Sequence, residues 1–207
     1  MVAREEGDLD FTLTVEAGPI GGIPAADLSF GAATNPEAVV DQASQFDFYD
    51  GGGLDITFLG LAEMDRAGNV NVSRFGDRIA GVGGFVNISQ SAKHVVFMGT
   101  FTTGGLEVSI GDGRLHIVKE GTVKKVVPEV AHLSFNGPYT VSLGIEVLYI
   151  TERAVFTVRD GRLTLIEIAP GVDLHRDVLG QCATEVAVAD DLTSMDPRIF
   201  RAGPMNR

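Results

Sequence analysis

Apolar and polar positions alternate or cluster along this chain in short segments. FTLTV (11–15) alternates at period two and predicts a short strand. LDITFLGLA (54–62) and VVFMGTF (95–101) are nearly continuous apolar runs, the pattern of mostly buried strands in a sheet covered on both faces. Between them, PEAVVDQAS (36–44) predicts a short helix, with Asn35 as its cap and Pro36 at the first helical position. DRAGNVNVSRF (65–75) predicts a turn into a polar strand. After Leu106 the texture becomes β-rich: LEVSI, RLHIVK, VAHLSF, VLYIT, AVFTVR and RLTLIEI are short, and several are split by GDG, NG or DG turns. DLHRDVLGQ (173–181) predicts a short helix. From Asp190 the chain turns polar, with Pro197 and Pro204, and predicts a poorly packed tail. No linker-like stretch divides what precedes it, so the expected organisation is one domain over 1–189 and a tail over 190–207.

Glycine changes this picture. The chain holds 26, gathered as GPIGG (18–22), GGG (51–53), GVGG (81–84), GG (104–105) and GDG (111–113). The uneven intervals exclude a repeat protein. Several clusters touch the end of an apolar run, where an α/β fold places its ligand loops. None forms GxGxxG between a strand and a helix with an acid about 20 residues on, so a dinucleotide fingerprint is absent.

Composition sets outer limits. At 207 residues, 44% hydrophobic and 21% charged, the chain is globular and able to bury a sizeable core. No apolar run approaches the ~18 residues of a membrane helix, and the opening MVAREEGDLDF does not read as a signal peptide. A net charge of -12 argues against nucleic-acid binding while leaving room for a small anion held by local cations or backbone amides. The single Cys182 forms no internal disulfide and suits a reducing compartment, the cytoplasm. His94, His116, His132 and His175 are scattered, so no metal site is expected. Asp47 and Asp50 read as turn residues and Asp55 as a strand end.

Two stretches carry candidate chemistry. In TLTVEAGPIGGIP, Glu16 stands where an apolar run ends, followed by Gly18, Gly21 and Gly22. One reading is a capping or salt-bridged carboxylate. The other is a reactive carboxylate approached by another molecule across side-chain-free backbone. In AGVGGFVNIS (80–89), glycines precede a segment with helical character, and amides exposed on such a bend can hold an oxyanion. A plain tight turn is the equal alternative.

TVEAGPIGGIP, DQASQFDFYDGGGLDITFLGLAEMDRAGNVNVSRFG, GVGGFVNISQSAKHVVFMGTF, and YITERAVF followed by LTLIEIAPGVDL resemble, in one collinear order from residue 5 to about 185, the family I CoA-transferases. The likeness is to the C-terminal (beta) half of single-chain propionate- or acetate-type members. It implies an open three-layer α/β/α sandwich of the CoA-transferase and ribose-isomerase group, β-rich in its second half. It implies that Glu16, in Glu16-Ala17-Gly18, is the nucleophile that forms a glutamyl-CoA thioester in ping-pong exchange between short-chain carboxylic acids. It implies that Gly84, with Gly83 before it, gives the oxyanion a backbone amide, and that Gly18, Gly21 and Gly22 form a CoA-access loop. Acyl-CoA and carboxylates are then substrates, with no permanently bound cofactor. Family members also have a preceding alpha half with a GxG-type loop, and a V-N-L-G-I-G-like strand before the nucleophile. This sequence contains neither, so a complementary alpha half or chain is the expected partner, in an oligomer, and the chain alone is expected to be inactive. The lysine that ketoacid-type relatives have in the stretch matching DQASQ (41–45) is absent, which argues against that substrate class. Two alternatives stay open: an acyl-CoA hydrolase on the same site, or an inactive fragment or subunit that acts only by association.

Overall fold

The computed structural model describes residues 10–203 and 205. The opening residues and Pro204 of the tail lie outside them. At the centre is a six-stranded mixed sheet. Its parallel part comprises β1 (Ile56–Gly60), β2 (His94–Met98) and β3 (Glu146–Ile150), with β2 in the middle and His94 opposite both Ile56 and Glu146. β4 (Ala154–Arg159) runs antiparallel to β3, and β5 (Arg162–Ile168) antiparallel to β4. β6 (Ala187–Ser194) lies parallel to β5 at one edge, and β1 is the other edge. The predicted DG turn between β4 and β5 forms with both central residues at positive φ, Asp160 at 51° and Gly161 at 71°. Asp112 and Gly113 do the same between Glu107–Gly111 and Arg114–Lys119.

Side-chain alternation divides the core in two. On one face Val95, Phe97, Val147, Tyr149, Phe156 and Leu165 pack with Met64, Val70, Phe85 and Phe135. Phe97 is at the middle, its ring 5.4 Å from Tyr149 and 4.8 Å edge-on from Phe135. On the other face Leu115, Val155, Ala169, Met195 and Phe200 form a second cluster against Leu148, Ile150 and Ile166. That cluster covers the β3–β5 part of the face and stops there. At the β1–β2 end, Ile56 is 47%, Phe58 60% and Met98 48% exposed. The expected sheet covered on both faces is therefore realised only in part, and β1 is a half-buried edge strand.

Other expectations change for local reasons. Phe11–Val15 forms no regular strand; Thr14 makes one bridge to Ile20. In the 36–44 segment, Ala38–Val39 pairs antiparallel with Pro19–Ile20, and the helix starts later, as α1 (Gln42–Asp50). Asp41 is its cap, accepting the Ser44 N–H at 3.1 Å, while Asn35 sits in a turn at φ 51°. Asp47 and Asp50 thus belong to a helix rather than a turn. VAHLSF forms no strand, and only Phe135 bridges, to Val70. The 173–181 helix is a π-turn over Leu174–Val178 followed by a 3-10 turn over Leu179–Gln181. The segment from Asp190 is not loosely packed: it completes β6, and Met195 and Phe200 enter the second core cluster. Its acidic residues fall on exposed positions of an edge strand, a polarity that also suits a tail.

Candidate active site

The Leu13–Val15 segment turns back sharply at Glu16. Gly18 N–H donates to Val15 O at 2.9 Å and Val15 N–H to Pro19 O at 3.0 Å, so Glu16 and Ala17 are the two central residues of a tight turn. The segment before the turn is held by α1. Gln45, buried in that helix, donates from Nε2 to the Tyr49 hydroxyl at 2.7 Å, and Tyr49 donates to Thr14 Oγ1 at 2.8 Å. Gln45 Oε1 is buried with no hydrogen-bond partner.

The Glu16 carboxylate meets the second glycine-rich bend. A Cβ built on Gly84 would overlap Glu16 Oε2 and the edge of the Phe46 ring, so only glycine leaves room for both. Gly84 caps α2 (Phe85–Ser91) with φ -78°, an ordinary value, while Gly83 before it lies at φ 52° over open space. The bend's own backbone hydrogen bond runs from Phe85 N–H to Val82 O, 3.1 Å. Among the described residues, the N–H groups of Gly83 and Gly84 make no hydrogen bond. Glu16 and the GVGG bend, 68 positions apart in sequence, are thus brought together.

Gly18, Gly21 and Gly22, the expected access loop, are also required by the local backbone. All three have positive φ, at 124°, 73° and 69°. A Cβ on Gly18 would strike Val40 O, one on Gly21 the Glu37 side chain, and one on Gly22 the Thr34–Asn35 backbone. The room they leave is filled by the chain's own neighbouring segments. They shape the Glu16 turn.

Beyond the C-terminal end of β1 lies a cavity of about 770 Å³, bounded by Gly60, Leu61, Val72, Arg74, Lys124 and Lys125 on one side and by Gly81, Val82 and Phe85 on the other. It therefore shares the GVGG bend with Glu16, although Glu16 is not among its lining residues. Elsewhere, Asp50 accepts from Asn87 Nδ2 at 3.0 Å and ties α1 to α2, and Asp55 pairs with Lys93 at 2.6 Å. His94 lies 3.3 Å from Glu146, and His132 Nδ1 2.7 Å from Ser73 Oγ. Among the described residues no three His, Cys, Asp or Glu side chains gather as for a metal ion. Burial pushes the Cys182 thiol up to about 11. No described helix is long and apolar enough to cross a membrane.

Sequence reasoning missed Tyr49, Phe46 and Lys125. Phe46 and Tyr49 sit in QFDFYD, where aromatics at 46, 48 and 49 gave no sign of which one meets Glu16. Lys125, in VKKVVP, looks like any surface lysine in the sequence.

No family model matches the chain. It is 50% identical over 201 residues to acetate CoA-transferase YdiF of Escherichia coli O157:H7, a match covering 97% of this chain and 38% of that protein. It is 50% identical over 205 residues to caffeate CoA-transferase of Acetobacterium woodii, covering 96% and 39%. The crystal structure of the YdiF apoenzyme superposes with TM-score 0.93 at 49% identity, over 100% of this chain and 39% of that one. A second YdiF crystal structure, a thioester complex with CoA, also gives TM-score 0.93, at 48% identity and the same coverage. The chain spans about two fifths of the length of these relatives. A separate beta subunit, that of acetate CoA-transferase from Haemophilus influenzae, is 31% identical over 156 residues, covering 75% of this chain and 60% of the subunit. By sequence and by fold, the chain belongs to the family I CoA-transferases, as the part of them that corresponds to their beta subunits.

Proposed function

We propose that this chain carries the nucleophile of a CoA-transferase acting on short-chain carboxylic acids, and that the nucleophile is Glu16. The observation that carries this reading is the Glu16 carboxylate set against Gly84, on a bend where two amides are used by no other group among the described residues. A carboxylate is ionised at neutral pH and needs no general base to attack. Its weakness as a nucleophile is offset by donors aimed at the tetrahedral oxygen, each worth about 3 kcal/mol in the transition state.

In this mechanism a Glu16 oxygen bonds to the acyl carbonyl carbon of acyl-CoA. The C–S bond breaks, giving a mixed anhydride and CoA thiolate. The thiolate bonds to the glutamyl carbonyl carbon and the first acid leaves as its carboxylate. A glutamyl-CoA thioester remains. An incoming carboxylate reverses the two steps and restores Glu16. Each intermediate is as activated as the substrates, so exchange runs near equilibrium with ping-pong kinetics. The YdiF thioester complex with CoA supports this route.

The working enzyme requires a complementary alpha half in this reading. Glu16 is only half-buried in the chain, and water must be kept from an acyl-glutamate for transfer to prevail over hydrolysis. CoA enters as a substrate and no cofactor is held permanently. The single cysteine suits a cytoplasmic setting.

The test is CoA exchange between propionyl-CoA and acetate, measured with the chain alone and with a complementary alpha half added. Transfer to acetate on reconstitution, and none without it, is expected. Thioester loss at the same rate with or without acetate would assign the site to hydrolysis. No turnover in either setting would leave the chain as a subunit acting only by association.

A further inference from the structure

Lys125 is a buried cation that the exchange mechanism does not use. Its backbone is fixed in a small sheet: Val126 pairs with Met64, and the Lys125 carbonyl accepts the Met64 N–H at 2.8 Å. The residue is 7% exposed and lines the cavity beyond β1. Its ammonium reaches the C-terminal end of β2, where a Cβ built on Gly99 would lie 3.0 Å from Nζ. The cavity starts at Gly60 and Leu61, just past β1. The group therefore stands beyond the carboxyl ends of two adjacent parallel strands, where open α/β sheets bind ligands.

Among the described residues no hydrogen bond or ion pair reaches Lys125 Nζ. Glu152, whose charge acts on it, is already held by Arg153 Nε at 2.6 Å and the Phe101 N–H at 2.8 Å. Glu63, also in the cavity wall, accepts from Asn71 Nδ2 and the Ala131 N–H. Of the neighbouring cations, Lys124 donates to Gly180 O and Cys182 O, and Arg74 gives only its Nε–H, to Gly76 O. Desolvation drives the Lys125 pKa down, opposed by Glu152. The stem is covered while the ammonium opens to the cavity, and such a group is a candidate for meeting a ligand of opposite sign.

We propose that Lys125 binds the carboxylate of the organic acid that gives or takes CoA. One ammonium neutralises one negative charge. The walls around it, Leu61, Val72, Val82 and Phe85, suit the short apolar chain behind a carboxylate. The same cavity includes Gly81 and Val82 of the bend that meets Glu16, so an acid held there lies on the approach to the proposed nucleophile. The role in exchange rests on the proposed function. The binding of a carboxylate does not.

The experiment follows the Lys125 Cε signal in the lysine-labelled chain by NMR, assigned by its loss in Lys125→Met. Sodium propionate should shift the signal saturably and raise the pH at which the group titrates. Affinity for propionate should fall by at least about tenfold in Lys125→Met, the loss expected for one charge-assisted hydrogen bond. Lys125→Met should melt close to the wild type near neutral pH, because it removes no hydrogen bond and keeps the side chain's volume. Lys125→Gln provides the same assignment if the Met variant folds poorly. A signal that moves with 3′,5′-ADP and not with propionate overturns the proposal in favour of a phosphate site. A signal that moves with neither overturns it in favour of a packing role. A propionate response in a chain whose reconstituted wild type fails to exchange CoA would reject the proposed function and leave this site standing.

Discussion

At Gly84 the φ of -78° is open to any residue, so a substitution there tests contact and not backbone strain. Gly84→Ala places a methyl group against Glu16 Oε2 and Phe46. We expect kcat to fall by at least about tenfold to a hundredfold, with a much smaller change in KM for acyl-CoA and little change in melting temperature, because the displaced group acts in the transition state. A change in KM alone would make the bend a binding loop. Gly83→Ala is the reverse case: nothing lies within 4 Å of the added methyl, and φ 52° makes the cost a matter of backbone strain, so stability should drop instead. Cys182 offers a check on burial. With its thiol pushed up to about 11 from an ordinary value near 9, iodoacetamide at pH 8 should alkylate the folded chain about a hundredfold more slowly than the chain in urea. The folded thiol keeps its proton in that interval while the unfolded one loses it, so this group's contribution to stability declines between about pH 9 and 11. Glu16 stood out in the sequence as a lone acid between an apolar run and three glycines, and the structure sets it against Gly84. Lys125 did not stand out, because its burial is produced by Met64, Gly99 and Leu61, none of which is its neighbour in sequence.

Elements bounded by strong local chemistry were legible, and those decided by distant partners were not. The two DG hairpins follow from residues that tolerate positive φ at both central positions. The 36–44 stretch has helix-like composition, yet Ala38–Val39 is recruited by Pro19–Ile20 and the helix waits for Asp41. A similar long-range assembly surrounds the β3–β4 connection. Arg153 is fully buried there, 2.6 Å from Glu120 and 2.6 Å from Glu152, with a further hydrogen bond to Asp177 O at 3.0 Å and its guanidinium 5.2 Å above the Phe101 ring. Burial raises the Glu120 pKa, but the Arg153 and Thr102 hydrogen bonds outweigh it and leave the carboxyl below its ordinary value. Its contribution to stability is then present above that ordinary value and lost as pH falls through the lowered one. Glu120→Ala removes the paired hydrogen bonds to Arg153 while Glu152 still neutralises it, so it should cost about 2 kcal/mol and lower the melting temperature by roughly 6 °C. The variant should also lose less stability on acidification than the wild type. Equal acid sensitivity of the two would show that Glu120 is not the group being titrated.

The molecule as a whole leaves Ile56, Phe58 and Met98 exposed on the β1–β2 face, where a parallel sheet is ordinarily covered. With 201 matched residues making up 38% of the E. coli relative, a complementary portion of roughly 300 residues is the proposed cover. The chain alone should therefore be dimeric or larger by light scattering, and Phe58→Lys should weaken both self-association and reconstitution with the alpha half. A monodisperse monomer with full turnover and no partner would contradict this. At this scale the sequence showed apolar runs without showing which of their faces stays open, since Ile56 and Phe58 differ from the buried positions of β1 only in register. The measurement that bears most directly on the account is the site of the covalent intermediate. Reconstituted enzyme is incubated with propionyl-CoA, trapped with hydroxylamine or borohydride, digested and mapped by mass spectrometry. We expect the modification on Glu16, absent in Glu16→Ala, with Glu16→Asp slowed about a hundredfold or more because the attacking oxygen is displaced by about 1 Å. Modification of another carboxylate, or full activity in Glu16→Ala, would contradict the account.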